Sequence, residues 1–390
     1  MGRHRAGRAA AVIGFCLAAG AGTRLEPLTR VTPKPLLAPA GRPLVDLAVE
    51  ALQQAGATRV VVNAHHGADL LVAHLTGRPG VEVVVEPVLL GTGGGLVNAA
   101  HLGLLGTGDD PVLVTAADHV VDPADLAGLA TFLERSGAPM AAGLIPATSD
   151  PFGLRLEGTA AGPPGSGVPV GEGSGLAGGR VARDPAGPWD SAGAYALRAG
   201  LLCDLEPGPA TLSGRVLGPL LDRGRLAGLP LRGPVADAGT LARLLDVSAG
   251  LLAGRWPYEL PPGQVRRGIG TGLVFMADGA DLDPAAVLAG PVVLDADARV
   301  GVGAVVTRAV VGPGAVVGPG AQVVGSFLGL GAHLPTGAAA VAALLPGPPR
   351  RPVTPGHGAI DGLLPAPHGH GAAPQARATE RSVVPAGWSC

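Results

Sequence analysis

Lysine is nearly missing from this chain: among 390 residues only Lys34 is a lysine, and every other strongly basic side chain is arginine. Aromatic residues are scarce at 3%, and charged residues make up 15%. Each scarcity excludes something. So few rings give no platform for stacking nucleic-acid bases. A formal net charge of −2 provides no basic field for nucleic acid and no acidic tail for a basic partner. The cysteines Cys16, Cys203 and Cys390 are odd in number and far apart. They form neither a disulfide framework nor a zinc knuckle, which fits a reducing cytoplasm. No run reaches the roughly 20 apolar residues of a membrane helix without a glycine interruption, so no membrane span is expected.

What remains is a globular composition, 47% hydrophobic and long enough for two or three domains. The 65 glycines and 39 prolines cluster in a few segments. Arg3, Arg5 and Arg8 precede the apolar run Ala9 to Ala19. This reads either as a secretory leader or as a basic tail (1–8) ahead of a buried strand from Ala11 to Leu17. The strand is preferred, because cleavage near Ala21 would destroy the glycine turn that follows.

Periodicity alternates through the first 145 residues. Strands are expected at 11–17, 59–63, 81–86, 111–115 and 138–145, and helices at 44–54, 68–75, 95–105 and 123–136. This rhythm implies a Rossmann-like α/β domain, its sheet mixed but mostly parallel, with helices on both faces. Ligands of such sheets sit at the carboxyl ends of strands, where the polar loops after Leu17, Glu86 and Thr115 all fall. Regular structure resumes at Ser191–Leu197 after a Gly/Pro-rich loop over 158–190, and a helix at 241–252 closes this domain. Its span is set at 9–255.

Residues 256–288 read as a linker. Over 289–335 the dipeptides Val300-Gly301, Val311-Gly312 and Val317-Gly318 recur, and Val311–Val316 and Val317–Gln322 are near copies. Six-residue units with one inward aliphatic residue suit a short left-handed β-helix of two or three coils. So small a core is expected to pack on the first domain or on a neighbouring subunit, which makes it the candidate surface for homo-oligomers. Residues 336–390, rich in Pro, Gly and Ala, read as a disordered tail.

The chemistry centres on Leu17–Leu36. Gly20 and Gly22 follow a strand and let backbone N–H groups approach an anion. Arg24 and Lys34 add two cations to the same edge, and Pro33 and Pro35 stiffen the chain around the lysine. A compact ammonium is not interchangeable with a planar guanidinium at a phosphate. A bound phosphate is the minimal reading.

The run Leu17-Ala-Ala-Gly-Ala-Gly-Thr-Arg-Leu-Glu-Pro-Leu-Thr followed by Pro33-Lys-Pro35 closely resembles the signature of the sugar-1-phosphate nucleotidyltransferases. Leu90-Gly-Thr-Gly-Gly-Gly-Leu96, Val112–Asp118, Ser191-Ala-Gly-Ala-Tyr195 and Asp237-Ala-Gly-Thr240 resemble that family's base loop, first metal strand, sugar motif and second metal motif, in its order. The resemblance covers about residues 9–335. It implies transfer of a nucleoside monophosphate from an NTP to a sugar 1-phosphate, with pyrophosphate leaving. Mg²⁺ would be held by Asp118 and Asp237. Arg24 and Lys34 would be catalytic. Leu17, Ala18, Ala19, Gly20, Gly22, Thr23, Glu86, Gly91 and Thr92 would hold the nucleotide, and Gly193 with Arg183 the sugar phosphate. Most members place a Glu-Lys-Pro before the sugar motif; here Arg180 to Trp189 contains no lysine, and Arg180 or Arg183 is the available cation. The loop and repeats resemble mannose-1-phosphate guanylyltransferases most. The Thr-Gly-Gly-Gly loop and the missing lysine are shared with N-acetylmuramate-1-phosphate uridylyltransferases, and a non-catalytic nucleotide-sugar-binding subunit is the third reading.

Overall fold

Short apolar runs, each too continuous for a one-faced strand, set the architecture. Ile-Gly-Phe-Cys-Leu and the runs like it are buried on both faces, as central parallel strands require. The structure is a computed structural model describing residues 11–147, 154–157, 178–184, 186–269, 272–349 and 359–361.

In chain order the first domain contains β1 (Ile13–Leu17), α1 (Leu44–Gln54), β2 (Arg59–Ala64), α2 (Ala68–Leu75), β3 (Val81–Val85), α3 (Gly91–His101), β4 (Pro111–Ala116), β5 (His119–Val120), α4 (Pro123–Ser136) and β6 (Met140–Pro146). There follow β7 (Leu154–Glu157), β8 (Gly179–Arg183), β9 (Trp189–Arg198), α5 (Gly200–Cys203), α6 (Gly218–Asp222), β10 (Leu226–Pro230), β11 (Ala236–Asp237) and α7 (Leu241–Leu252). The main sheet runs β3-β2-β1-β4-β9-β6-β10-β8-β7. β3, β2, β1 and β4 are mutually parallel, and β9 is antiparallel to both β4 and β6. The sheet is therefore mixed and mostly parallel. Apolar side chains fill both faces, with α1, α4 and α7 on one and α3 on the other. The carboxyl ends of β1 to β4 share one edge, which fixes where polar loops can meet.

Two local signals explain the best-defined helices. Asp122 caps α4 by accepting from the Ala124 N–H at 2.8 Å, with Pro123 in its first turn and Gly137 at φ 64° ending it. Thr240 caps α7 by accepting from the Arg243 N–H.

Helix α3 corrects the expectation of a start at Gly95. The three glycines form its first turns instead. A Cβ on Gly93 would lie 2.5 Å from the Thr211 carbonyl oxygen, and one on Gly95 2.5 Å from Glu86 Oε1. Their lack of side chains lets the helix end sit against the 208–212 backbone, so they are packing glycines and not a loop.

The second correction is at the linker. Residues 256–288 hold strands Gly263–Arg267, Leu273–Ala277 and Asp281–Leu282. Leu273–Ala277 pairs in parallel with Val287–Leu294, beginning a stack of parallel coils. Successive coils set Asp281 beside Arg299, Val316 beside His333, and Val305 beside Gln322. Inward positions alternate small and branched residues, among them Ala298, Val300, Ala304, Val306, Ala315 and Val317. The stack also outruns 335: Ala339–Val341 and Leu344–Leu345 add to it, and Ala359–Asp361 pairs with β3 at the sheet edge. Alanine takes the inward position at Ala340, which hid these repeats. The remaining stretch called a tail, the basic 1–8 segment and most of the 158–190 loop lie outside the described residues; Gly179–Arg183 and Trp189–Arg198 are strands.

The stack shares a core with the first domain. Phe275, Val293, Val310 and Phe327 join the apolar cluster containing α7 residues Leu244, Leu245 and Leu251. Arg308 pairs with Asp246 at 2.7 Å across the same junction.

The glycines of α3 give a direct test. Gly93→Ala should lower unfolding stability by about 1–3 kcal/mol, because its new methyl meets backbone that cannot swing aside. Gly20→Ala, with nothing within 4 Å of its Cβ position, should change stability by less than about 0.5 kcal/mol. Urea unfolding of the two variants checks this.

Candidate functional site

The glycine turn after β1, the base of β4 and the start of α3 enclose a cavity of about 350 Å³ at the carboxyl edge of the sheet. Its lining includes Leu17, Ala18, Ala19, Gly20, Gly22, Thr23, Arg24, Lys34, Gly91, Thr92 and Asp118. Eleven sequence-named residues thus line one cavity. The turn is built by close packing. Gly22, at φ 66°, leaves room for the stems of Lys34 and Thr29, each 2.9 Å from where its Cβ would be. Thr29 Oγ1 donates to the Gly22 carbonyl at 3.1 Å.

Lys34 and Asp118, far apart in sequence, form an ion pair inside the cavity. Lys34 is buried, and Asp118 retains partial exposure. On its other oxygen Asp118 accepts from His119 Nδ1 at 3.0 Å. Burial disfavours the Asp118 carboxylate, but the His119 hydrogen bond and the charges of His119 and Lys34 outweigh it and hold its pKa well below the usual carboxylate range. Burial also opposes charge on His119, yet Asp118 and, more distantly, Asp237 raise its pKa.

Asp237 reaches the same place through backbone pairing. β11 lies antiparallel to β5, with Asp237 opposite His119, and the Ala238 N–H donates to the Asp118 carbonyl at 2.8 Å. Gly239 lines the cavity, and a Cβ on it would lie 2.6 Å from Asp237 Oδ1 and 2.7 Å from Arg24 Nη2. The glycine therefore leaves the space that Arg24 and Asp237 share. Arg243 pairs with Asp237 Oδ2, while Asp237 Oδ1 is buried without a hydrogen-bond partner. Such an orphaned oxygen suits a cation. Among the described residues no cluster of three or more His, Cys, Asp or Glu is arranged to hold a metal. Two carboxylates are nonetheless enough for Mg²⁺, which completes its shell with phosphate oxygens and water.

Asn63 was not singled out in the sequence. It lines the cavity and is buried at the end of β2. Its Oδ1 accepts from the Ala18 N–H at 2.7 Å, and its Nδ2 donates to Glu86 Oε1 at 2.7 Å. Glu86 Oε2 accepts from the Leu90 N–H at 3.2 Å. Glu86 does not face the cavity; it anchors the loop before α3 from behind. Burial pushes its pKa up, against the opposing hydrogen bonds from Asn63 and Leu90. The available signal was positional: Asn63 is the polar residue closing an apolar strand at the ligand edge. Thr92, besides lining the cavity, accepts from the Leu212 N–H at 2.8 Å.

The sugar side is less complete. Gly193, at φ 69°, lies against the His119 ring, whose Nε2 is 2.8 Å from its Cβ position. That packing places the β9 motif beside Asp118, although Gly193 does not line the cavity. Arg183 is corrected: it is exposed on β8, with Nε donating to Asp222 at 3.1 Å, and does not line this cavity. β8 lies near the far edge of the sheet, separated from β4 by β9, β6 and β10, so the strand order keeps Arg183 apart from the end of β4.

Residues 13–152 match the family described as Nucleotidyl transferase. A Caulobacter vibrioides N-acetylmuramate alpha-1-phosphate uridylyltransferase is 43% identical over 115 residues, 28% of this chain and 46% of that protein. An Aspergillus fumigatus mannose-1-phosphate guanyltransferase is 38% identical over 111 residues, 27% and 30% of the two chains. These matches span less than half of the curated relatives' lengths. A Mycobacterium tuberculosis mannose-1-phosphate guanylyltransferase aligns more widely, 28% identical over 314 residues, 76% of this chain and 78% of that one. A crystal structure of a proposed glucose-1-phosphate thymidylyltransferase from Bacillus anthracis superposes with a TM-score of 0.50 at 19% identity, covering 61% of this chain and 94% of that one. It shows a shared fold.

The buried relay supplies a pH test. Asn63→Asp keeps the acceptor for Ala18 but sets a second carboxyl against Glu86. The folded pair would retain a proton that the unfolded chain releases above its ordinary carboxyl pKa. Stability of this variant should therefore fall as pH rises from about 5 to about 8. Asn63→Leu, which strands the Ala18 N–H and Glu86 Oε1, should cost about 2–4 kcal/mol at every pH. Urea unfolding at the two pH values separates them.

Proposed function

We propose that this chain, whose residues 13–152 match the nucleotidyl transferase family, transfers a nucleoside monophosphate from an NTP to a sugar 1-phosphate with release of pyrophosphate. The observation that carries the reading is the cavity in which Lys34, Asp118 and the Gly20–Gly22 turn meet at the carboxyl ends of β1 and β4. Two anionic reactants must be brought together there, so charge neutralisation and alignment dominate the barrier.

The backbone of Leu17–Thr23 faces the nucleotide, and Gly91 and Thr92 close its far side. Arg24 carries the outer phosphates, and Lys34 faces the α-phosphate. Asp118 and Asp237 are the Mg²⁺ ligands, and the ion would neutralise phosphate charge when bound. His119 holds Asp118 in place and packs on Gly193 beside the sugar. No general base is needed, because the attacking phosphate oxygen is already ionised.

GTP and mannose 1-phosphate are the preferred substrates in this reading, supported by the relative that aligns with 76% of the chain. UTP and N-acetylmuramate 1-phosphate are the second pair, supported by the 43% identity of the Caulobacter enzyme. The coil stack is read as a left-handed β-helix and as the surface for self-association. In this reading the reaction is cytoplasmic and involves neither nucleic acid nor membrane as partner.

Pyrophosphate release from four NTPs against a panel of sugar 1-phosphates tests the assignment. The greatest turnover is expected with GTP and mannose 1-phosphate; absence of turnover with every pair would remove the enzyme reading. Lys34→Ala should lower kcat/KM at least about a hundredfold, and Lys34→Arg should not restore it. Stability should drop by no more than about 2 kcal/mol, since Asp118 keeps His119 and faces an open cavity. Full activity in Lys34→Ala would refute the role.

A further inference from the structure

A second cavity, of about 420 Å³, lies where the coil stack meets the first domain. That volume falls within the range of roughly 300–1,000 Å³ usual for small-molecule sites. One wall is a column of coil corners. Leu294 pairs with Val311 and Val311 with Leu328, so Asp295, Gly312 and Gly329 occupy the same corner of successive coils. Where two corners carry no side chain, the third presents a carboxylate.

Asp295 is 5% exposed. Its Oδ1 accepts from the Ala296 N–H at 2.8 Å, but its Oδ2 is buried with no partner. An unsatisfied buried carboxyl oxygen costs stability and calls for a donor. No cationic side chain of the chain pairs with it among the described residues, and burial raises its pKa against the opposing Ala296 hydrogen bond. The rest of the lining includes Thr32, the apolar Leu36, Leu37, Phe327 and Leu330, and His74, whose Nε2 is already engaged by Asp46 at 2.7 Å.

This lining distinguishes between ligand types. A metal ion would find a single carboxylate and a His74 ring whose Nε2 is already paired with Asp46, and an organic cation would exchange its water for largely apolar walls. A neutral polyhydroxyl ring gives O–H donors to Asp295, meets the Thr32 hydroxyl, and lays its C–H faces on leucine and phenylalanine. We propose that this cavity is a second ligand site, distinct from the nucleotide cavity, which takes a neutral saccharide ring through Asp295.

The site is coupled to the first by geometry. Thr32, Leu36 and Leu37 line the second cavity, while Lys34 and Pro35, on the same short segment, line the first. A ligand that shifts this segment moves the ammonium against Asp118, which gives a route from occupancy to NTP affinity.

Free D-mannose and D-glucose, titrated by ligand-observed NMR with putrescine as the cationic control, test the proposal. Asp118→Ala tests whether binding is independent of the nucleotide cavity. Asp295→Leu removes the acceptor, and Ala73→Phe obstructs the cavity from α2 without touching Asp295. Saturable hexose binding should persist in Asp118→Ala and weaken at least about tenfold in both other variants. Circular dichroism and unfolding midpoints confirm that each variant is folded. Hexose binding unchanged by Asp295→Leu and Ala73→Phe, loss of binding in Asp118→Ala alone, no hexose binding to the parent chain, or preference for putrescine would each overturn it. The readout is binding and does not need turnover, so it stands apart from the enzyme assignment.

Discussion

The ion pair between Lys34 and Asp118 is the constraint around which the site is organised. A partly buried pair of this kind gains little net stability, because removing both charges from water offsets most of their attraction. Its physical role is better sought in the cavity it lines. Three pieces of chain have to be fixed for the pair to form: the turn after β1, the 310 segment that carries Lys34, and the end of β4. The glycine at 22 permits the first contact, and the parallel register of β1 with β4 permits the second. Asp118 in turn carries His119, and through the β5–β11 ladder it brings Asp237 alongside. One sheet edge thus gathers two carboxylates and two cations from three stretches of chain.

Behind that charged face lies a buried relay of hydrogen bonds. Ala18, Asn63, Glu86 and Leu90 are joined by successive hydrogen bonds that cross from β1 through β2 and β3 to the start of α3. The relay holds the two halves of the cavity at a fixed spacing. Its low-dielectric surroundings strengthen each bond and penalise any missing partner. In the proposed reaction, which aligns two phosphates, such rigidity would matter, since misplacement by about 1 Å can cost about a hundredfold in rate.

Much of this was legible in the sequence. The spans 44–54, 68–75, 123–136 and 241–252 are helices with the expected ends, because each combines a clear apolar period with a cap, a proline or a glycine. That the glycine turn, Lys34 and Asp118 meet in one cavity was legible because glycine, lysine and aspartate fell in polar loops at strand ends. What failed was set by contacts distant in sequence. The glycines at 93–95 looked like a loop, since nothing local reveals that the backbone at 208–212 presses on them. Arg183 looked available, since only the strand order shows that β8 lies far from β4. Asn63 went unnoticed because its importance lies in partners 45 residues before and 23 residues after it. The coils before 289 and after 335 were missed because alanine and irregular spacing blur a six-residue pattern that parallel pairing still tolerates.

The coil stack also bears on the chemistry without contributing a residue to it. Its inward column is nearly all alanine, valine and leucine, but its outer face supplies Phe275, Val293, Val310 and Phe327 to the core beneath α7. Helix α7 begins at Thr240, directly after the motif that carries Asp237. Fixing α7 from below therefore fixes the approach of Asp237 to Asp118 from above. On the other flank Leu28 touches Gly329 of the stack, and Leu28 opens the short segment leading to Lys34. Both partners of the charged centre are thus steadied, through one intervening element each, by the same rigid column. Separating the stack from the first domain would loosen the lysine and the second carboxylate together, which is why the two units are best understood as one mechanical support for a single site.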